Sequence, residues 1–455
     1  MHSNVLSLIS LVVYLGLVLL PLCISQTLNL SPRPFPDELS SYLAMIGFNV
    51  ILLEFLSSGH QKLLSRILGI DWVLQTHQLF ARLAVLLLLI HPFLYTLPNK
   101  PTGIYIPSGS DFVGLNLGSS LTGMLALITL IILVGLALTR QNSVLRYETW
   151  RASHAMMALL VALLGFHHTT HAGRLSQDDW VLGYWQIALA FALLSIAWMY
   201  LIQPFIQSRN PYKVTSIREV SANIWELVID QFESSNHPSK NLKYQAGQFA
   251  WLKIGQPYPL FENPFSIASC PDKNCTQLKF LIKNVGDFTY QVTQLQPGDH
   301  IYLDGPYGNF GQSLFDPEKK DVVFIVGGVG IAPALSLLRA LASSHAVQSD
   351  KKIVLITGNR IEEQVIDLSS MVNLDHFKEW KHIKIISEPK EHWTGEVGIL
   401  DKDTLSRVLK SSETNISNAH YFVCGPAGMI DAVENALDHM GVPLSQIDSE
   451  KFQYD

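Results

Sequence analysis

Long apolar runs dominate the first 205 residues, and short alternating segments dominate the remainder. A helix needs about 20 predominantly apolar residues to cross a bilayer. Six runs meet that length, at about 4–24, 39–58, 72–95, 119–139, 152–170 and 181–203. The fourth and sixth contain no Lys, Arg, Asp or Glu. The first lacks the basic leader of a secretory signal, having only His2, and is read as a retained span. After Pro204 the segments 223–229, 248–254, 278–283 and 300–303 have strand length and are rich in β-branched and aromatic residues. Turn signals such as Gln296-Pro297-Gly298-Asp299 separate them. This pattern predicts a small β-barrel over 211–315. From Asp321 onward the rhythm becomes strand, glycine turn, helix, with further strands at 353–358, 382–387 and 420–423. Alternating β and α elements predict a parallel, doubly wound domain over 320–455.

Charge sharpens the boundary. Residues 1–205 hold 17 charged side chains and the last 250 hold 53. Net charge is −6 and the apolar share is 48%, which excludes a disordered chain and gives no reason to expect a nucleic-acid partner. Four cysteines exclude a disulfide scaffold. One set of inter-span loops holds Lys62, Arg66, Arg140, Arg146, Arg151, Arg209 and Lys213, and the other holds Arg33, Lys100 and Arg174. The positive-inside bias therefore puts both termini in the cytoplasm, and six spans return the chain to its starting side.

Histidines interrupt two of the spans. Span three carries His77 and His91; span five carries His154, then His167 and His168, with His171 just beyond. Ionisable groups at membrane depth are costly and point to function. His77 and His91 lie 14 residues apart, about 21 Å along a helix and within about 40° of one face. His154 is 13 residues from His167 and 14 from His168. Both spans run from inside to outside, so they offer two stacked imidazole pairs, each suited to the axial positions of a haem iron. Straight-helix geometry favours His168 as the second outer ligand. Arg82, five residues after His77, has two candidate partners, a haem propionate or Glu54.

The soluble half adds nucleotide chemistry. Gly327, Gly328 and Gly330 follow an apolar strand and precede an amphipathic helix, a setting in which backbone N–H groups and the helix N-terminus hold a pyrophosphate. A second glycine turn, Cys424-Gly425-Pro426, follows the last strand of that rhythm. Arg360, at the end of strand 353–358, offers a rigid guanidinium to the 2′-phosphate of NADPH, with NADH as the other donor.

Taken together, the chain resembles the ferric reductase and NADPH oxidase superfamily over nearly its whole length, and the bacterial NADPH-oxidase-like members in particular. Pro264-Phe265-Ser266-Ile267 resembles the flavin motif of that family, with Asn263 where His or Arg usually stands. Gly247-Gln248 resembles the strand before it, and Lys283, Gly286 and Thr289 resemble the loop that contacts flavin phosphates. Gly327, Gly328, Gly330 and Pro333 resemble the dinucleotide loop, and Cys424, Gly425 and Pro426 the turn near the nicotinamide ring. Phe452 resembles the terminal aromatic that covers the flavin. The resemblance implies a multidomain membrane protein: an all-α six-helix transmembrane haem bundle (1–205), an antiparallel β-barrel FAD domain and an α/β doubly wound NAD(P)H domain. It implies FAD, two b-type haems and NADPH as cofactors, and an outer acceptor that is dioxygen or a ferric chelate. It implies His167 rather than His168 beside His91, with His77 and His154 as the inner pair. Cys424 and Phe452 are then the residues at the hydride-transfer site, and the cell (inner) membrane is the expected location. Two other functions share these features: a membrane-anchored flavin reductase, and a haem redox protein serving a partner.

Overall fold

The computed structural model describes residues 2–28, 33–57, 69–95, 117–140, 147–231, 242–271, 277–315, 321–343, 352–372, 377 and 379–451. The chain divides into two compact units, Met1–Gln203 and Pro204–Asp455. The break falls two residues before the expected end of the membrane part.

The first unit is helical: α1 (His2–Gln26), α2 (Phe35–Leu53), α3 (Ile70–Leu94), α4 (Leu117–Leu138), α5 (Tyr147–Ala172) and α6 (Asp179–Ala197). A π-helical turn at Trp198–Ile202 and a short helix at Gln203–Ser208 extend α6. Five of these segments are long and apolar enough to cross a membrane; α2 is the exception. Its composition follows from its position. Ser40, Asn49 and Glu54 are buried on or beside it, so its polar groups face protein instead of lipid. Asn49 donates to the carbonyls of Leu17 and Val18 at 2.9 Å and accepts from the Tyr184 hydroxyl at 2.7 Å, which satisfies the amide. Pro34 and Pro36 suit the first turn of α2, where their missing N–H groups have no helical partner to lose. Asp178 caps α6 by accepting from the amides of Trp180 and Val181.

The second unit contains two six-stranded sheets. The strands of the first are β1 (Tyr212–Ser221), β2 (Ile224–Gln231), β3 (Phe249–Ile254), β4 (Glu262–Ser266), β5 (Gln277–Lys283) and β6 (His300–Tyr307). They pair antiparallel in the order β4-β3-β6-β1-β2-β5. The two edges meet at one antiparallel bridge, Ile267 with Phe280. Leu227, Ile229, Ala250, Leu252, Phe280 and Ile301 fill the interior. The second sheet is wholly parallel: β7 (Asp321–Gly327), β8 (Lys352–Asn359), β9 (Glu379–Ile386), β10 (Glu396–Val397), β11 (Ala419–Gly425) and β12 (Ile447–Lys451). Its order β10-β9-β8-β7-β11-β12 reverses direction between β7 and β11. Ligands of such sheets bind at that switch point, beyond the carboxyl ends of the strands. Among the described residues four further α-helices belong to this unit: α7 (Asp287–Thr293), α8 (Ile331–Ser343), α9 (Lys402–Ser411) and α10 (Ala427–His439). Phe310 and Leu314 share one apolar core with Phe324, Leu337 and Phe422, so the two sheets are packed as a single body.

Candidate functional site

In the helical unit, α3 packs along α2 and α5 packs along α4, while α3 and α5 are not extensively packed on each other. His154 and His77, and likewise His91 and His168, stand near enough to influence one another's charge.

Each ring is oriented by what its Nδ1 meets. His77 Nδ1 lies 2.7 Å from Glu54 Oε2. His91 Nδ1 lies 2.7 Å from the Leu88 carbonyl, and His168 Nδ1 lies 2.8 Å from the Ser119 carbonyl. Carbonyls only accept, so both outer rings carry the proton on Nδ1 and present the Nε2 lone pair. The Leu88 carbonyl is available because Pro92, four residues on, has no amide hydrogen to give it. His168 reaches Ser119 because Gly123 makes room: a Cβ there would lie 2.5 Å from His168 Nδ1. His154 Nδ1 is buried without a hydrogen-bond partner among the described residues. His167 differs. Its Nδ1 meets Thr122 Oγ1 at 3.1 Å and its ring stacks on His171 with centroids 4.1 Å apart. The family resemblance implies His167 and straight-helix geometry His168; of the two, His168 has its Nδ1 held by a backbone carbonyl and lies within electrostatic reach of His91. Glu54 is held by His77, Tyr14 and Ser57 rather than by Arg82, which is exposed. Among the described residues no group of three or more His, Cys, Asp or Glu gathers as a metal site. A porphyrin supplies four donors of its own, so one imidazole pair per iron suffices. The Nε2 lone pairs that His91 and His168 present are donors a haem iron would fit.

In the second unit the expected flavin residues converge around β4. Pro264 pairs with Trp251 and Ser266 with Phe249 in the β3–β4 ladder, and Ile267 is buried at the bridge to β5. Ser266 Oγ is buried and lacks a hydrogen-bond partner among the described residues. Such a hydroxyl costs about 1–3 kcal/mol unless a ligand satisfies it, so it fits a bound flavin. Phe265 stacks on Phe288 at 5.9 Å, which brings the motif against the N-terminus of α7. There Thr289 Oγ1 accepts from the amides of Val285 and Gly286, shaping the turn after Lys283. Gln248 serves the fold: its Nε2 donates to the Gly308 carbonyl and its Oε1 accepts from the Gln245 amide. Gly247 has φ +87°, and a Cβ would meet the Phe310 carbonyl oxygen at 2.3 Å. Sequence reasoning missed the buried pair Lys253–Glu262, 3.0 Å apart, which anchors β4 just before the motif. Lys253 Nζ also donates to Gln207 Oε1 and the Pro257 carbonyl. The alternation in 248–254 hides this lysine as an outward-facing residue.

The glycine turns come together at the switch point between β7 and β11. Gly330 backs onto the Cys424 carbonyl, and Gly327 onto Met429 and Pro426. Pro333 lies in the buried first turn of α8. Cys424 and Gly425 end β11, the Cys424 side chain is buried, and Cys424 is in register with Glu450 of β12. Gly328 (φ +54°) faces open space and lines a crevice with Ile331, Thr357, Asn359, Gln364 and Ile366. Arg360 stands at its rim, ion-paired with Glu388 at 2.9 Å and 71% exposed. Phe452 lies outside the described residues.

Behind the crevice, Thr357 Oγ1 is 3.0 Å from His382 Nε2. Burial, helped by Lys384, lowers the His382 pKa to about 4. The unfolded chain therefore binds a proton here between about pH 6.5 and 4 that the folded chain does not. Stability from the neutral ring is complete above pH 6.5 and is lost as pH falls toward 4. Across that window the wild type should lose on the order of 2 kcal/mol more than His382→Gln, allowing for partial exposure. Paired urea titrations at pH 7.5 and 4.5 measure this, and equal losses refute it.

Residues 42–165 match the family described as ferric reductase like transmembrane component. Residues 211–311 match the oxidoreductase FAD-binding domain, and 324–435 the oxidoreductase NAD-binding domain. The chain is a ferric reductase/NADPH oxidase-like fusion. The matched segments are thus a ferric-reductase-like transmembrane component followed by oxidoreductase FAD- and NAD-binding domains. Over 214 residues it is 31% identical to the reductase component of propane 2-monooxygenase from Mycolicibacterium goodii, a match covering 46% of this chain and 59% of that protein. NADH-cytochrome b5 reductase 1 of Pyricularia oryzae is 23% identical over 290 residues, 61% of this chain and 90% of that protein. Among solved structures, a ferredoxin NADP+ reductase from Neisseria gonorrhoeae aligns over 53% of this chain and 98% of its own, at 19% identity and a TM-score of 0.46.

Proposed function

We propose that this chain carries electrons from cytoplasmic NADPH, through FAD and two b-type haems, to a small acceptor on the outer face of the cell membrane, dioxygen or a ferric chelate. The observation that carries this reading is the double imidazole pairing between α3 and α5. His77–His91 and His154–His168 both span 14 residues, so each pair repeats the other about 21 Å along the helices. When bound, flavin turns a two-electron hydride donor into a one-electron source, and haem accepts electrons singly.

The protein's own contribution is orientation. Glu54, the Leu88 carbonyl and the Ser119 carbonyl hold His77, His91 and His168 with Nε2 outward. These four histidines would be the axial ligands, with His168 taken in place of His167 on the strength of its pairing with His91. The turn Gly328–Gly330 and the start of α8 would hold the dinucleotide pyrophosphate. Ser266 and the 283–289 loop would hold the flavin. Arg360 supports NADPH as donor, because its exposed ion pair with Glu388 is weak and is readily exchanged for a 2′-phosphate. With two imidazoles on each iron a haem held here would have no open coordination position, so an outer acceptor would be reduced by outer-sphere transfer.

The test uses the purified full-length protein in lipid nanodiscs. A reduced-minus-oxidised spectrum should show b-type haem at two per flavin. NADPH oxidation should be sustained without a partner, either in air with signal quenched by superoxide dismutase, or anaerobically with a ferric chelate. Flavin without haem identifies a membrane-anchored flavin reductase, and haem without steady NADPH consumption identifies a partner-dependent redox protein. Either result rejects the proposal.

A further inference from the structure

The four imidazoles do not have equivalent supports. His91 and His168 hand their Nδ1 protons to neutral backbone carbonyls, at 2.7 and 2.8 Å. His154 has no described partner. His77 alone faces a carboxylate, Glu54 Oε2 at 2.7 Å. That carboxylate is buried, and it is shared: Tyr14 donates to Oε1 from α1 and Ser57 donates to Oε2. One acidic side chain at the end of α2 thus ties α1, α2 and α3 together at the level of the inner pair.

We propose that Glu54 is a positioning and tuning residue that makes the inner haem harder to reduce than the outer one, acting through His77. This rests on the haem reading given above. A carboxylate draws the Nδ1 proton more strongly than a carbonyl does, so it leaves more electron density on Nε2 and makes the ring a more basic ligand. A more basic axial ligand favours ferric over ferrous iron, and outer-shell hydrogen bonds of this kind are a main control of haem potential. The outer pair has only carbonyl support. The resulting difference in potential runs downhill from inside to outside, so outward electron flow is built into the second layer of contacts. Tyr14 and Ser57 moderate the effect, because each hydrogen bond they donate to Glu54 spreads its negative charge away from His77.

The experiment is an optical redox titration of the purified holoprotein, with haem counted independently by pyridine haemochrome. The inner component is identified as the one that His91→Ala retains. Glu54→Gln keeps size and hydrogen bonding but removes the charge; the inner midpoint should move up while the outer stays put and haem content is unchanged. Tyr14→Phe removes a donor from Glu54, and the inner midpoint should move down. Opposite shifts confined to one component support the proposal, a pattern that a merely structural role does not produce. Unmoved midpoints, a shift of the outer component, or shifts of the same sign in both variants overturn it. If Glu54→Gln fails to accumulate, the Tyr14→Phe shift decides alone. A wild-type protein free of haem refutes the underlying reading, whereas full haem with unmoved potentials refutes only this inference.

Discussion

His168→Ala is expected to lose one of the two haem components and His167→Ala to keep both. The two residues are adjacent, so their side chains diverge by about 100° around α5 and cannot serve one site equally. His168 lies within electrostatic reach of His91, with its Nδ1 committed to the Ser119 carbonyl. His167 is turned to Thr122 and His171. Loss of an outer-shell partner already costs about 10–100-fold in metal affinity, so loss of an axial ligand should cost at least ~100-fold in turnover to an outer acceptor. The inner component should persist in His168→Ala, reducible by NADPH but unable to pass electrons on. Haem stoichiometry and stopped-flow reduction measure both effects. Retention of two haems in His168→Ala, with loss in His167→Ala, reverses the assignment.

The second large effect is expected at Gly330. A Cβ there would sit 2.4 Å from the Cys424 carbonyl oxygen and 3.0 Å from Gly425 Cα. These are backbone atoms of the facing turn, which cannot swing aside as a side chain would. Gly330→Ala must push the two turns apart at the switch point of the sheet. Overpacking of this kind costs about 1–3 kcal/mol, so kcat/KM for the nicotinamide donor should fall by about 10–100-fold. Flavin and haem content should be preserved, and chemical reduction by dithionite should be unchanged. Gly328→Ala provides the comparison. Gly328 has φ +54° but open space around it, so only the left-handed strain of about 1–2 kcal/mol applies. Anaerobic flavin reduction by NADPH ranks the two variants, and equal rates for wild type and Gly330→Ala would show that the turns do not need to touch.

Much of this architecture is written in local pattern. Spans of apolar residues, a change in charge density near residue 205, strand-length segments and a glycine turn between strand and helix each depend on neighbours within a few residues. The helices and most strands accordingly formed where periodicity put them: strand 353–358 became β8 (Lys352–Asn359), and strand 278–283 became β5. Four strands, β1, β4, β10 and β12, were less legible. β4 contains Pro264, which argues against a strand except at a sheet edge, where it lies. β12 carries Asp448, Glu450 and Lys451, polar enough to read as a tail, yet it pairs with β11 at the other edge.

By itself, the sequence determined that the protein has a histidine-bearing membrane part and a nucleotide-binding soluble part. It also determined that the imidazoles recur at matched intervals, because composition and helical period are local properties. Only the tertiary structure decided which groups those imidazoles meet: Glu54 for His77, the carbonyl freed by Pro92 for His91, and the Ser119 carbonyl for His168. The Glu54 and Ser119 contacts join residues 23 and 49 positions apart, and at such separations the partner is selected by packing, through gaps such as the one Gly123 leaves, rather than by spacing along the chain.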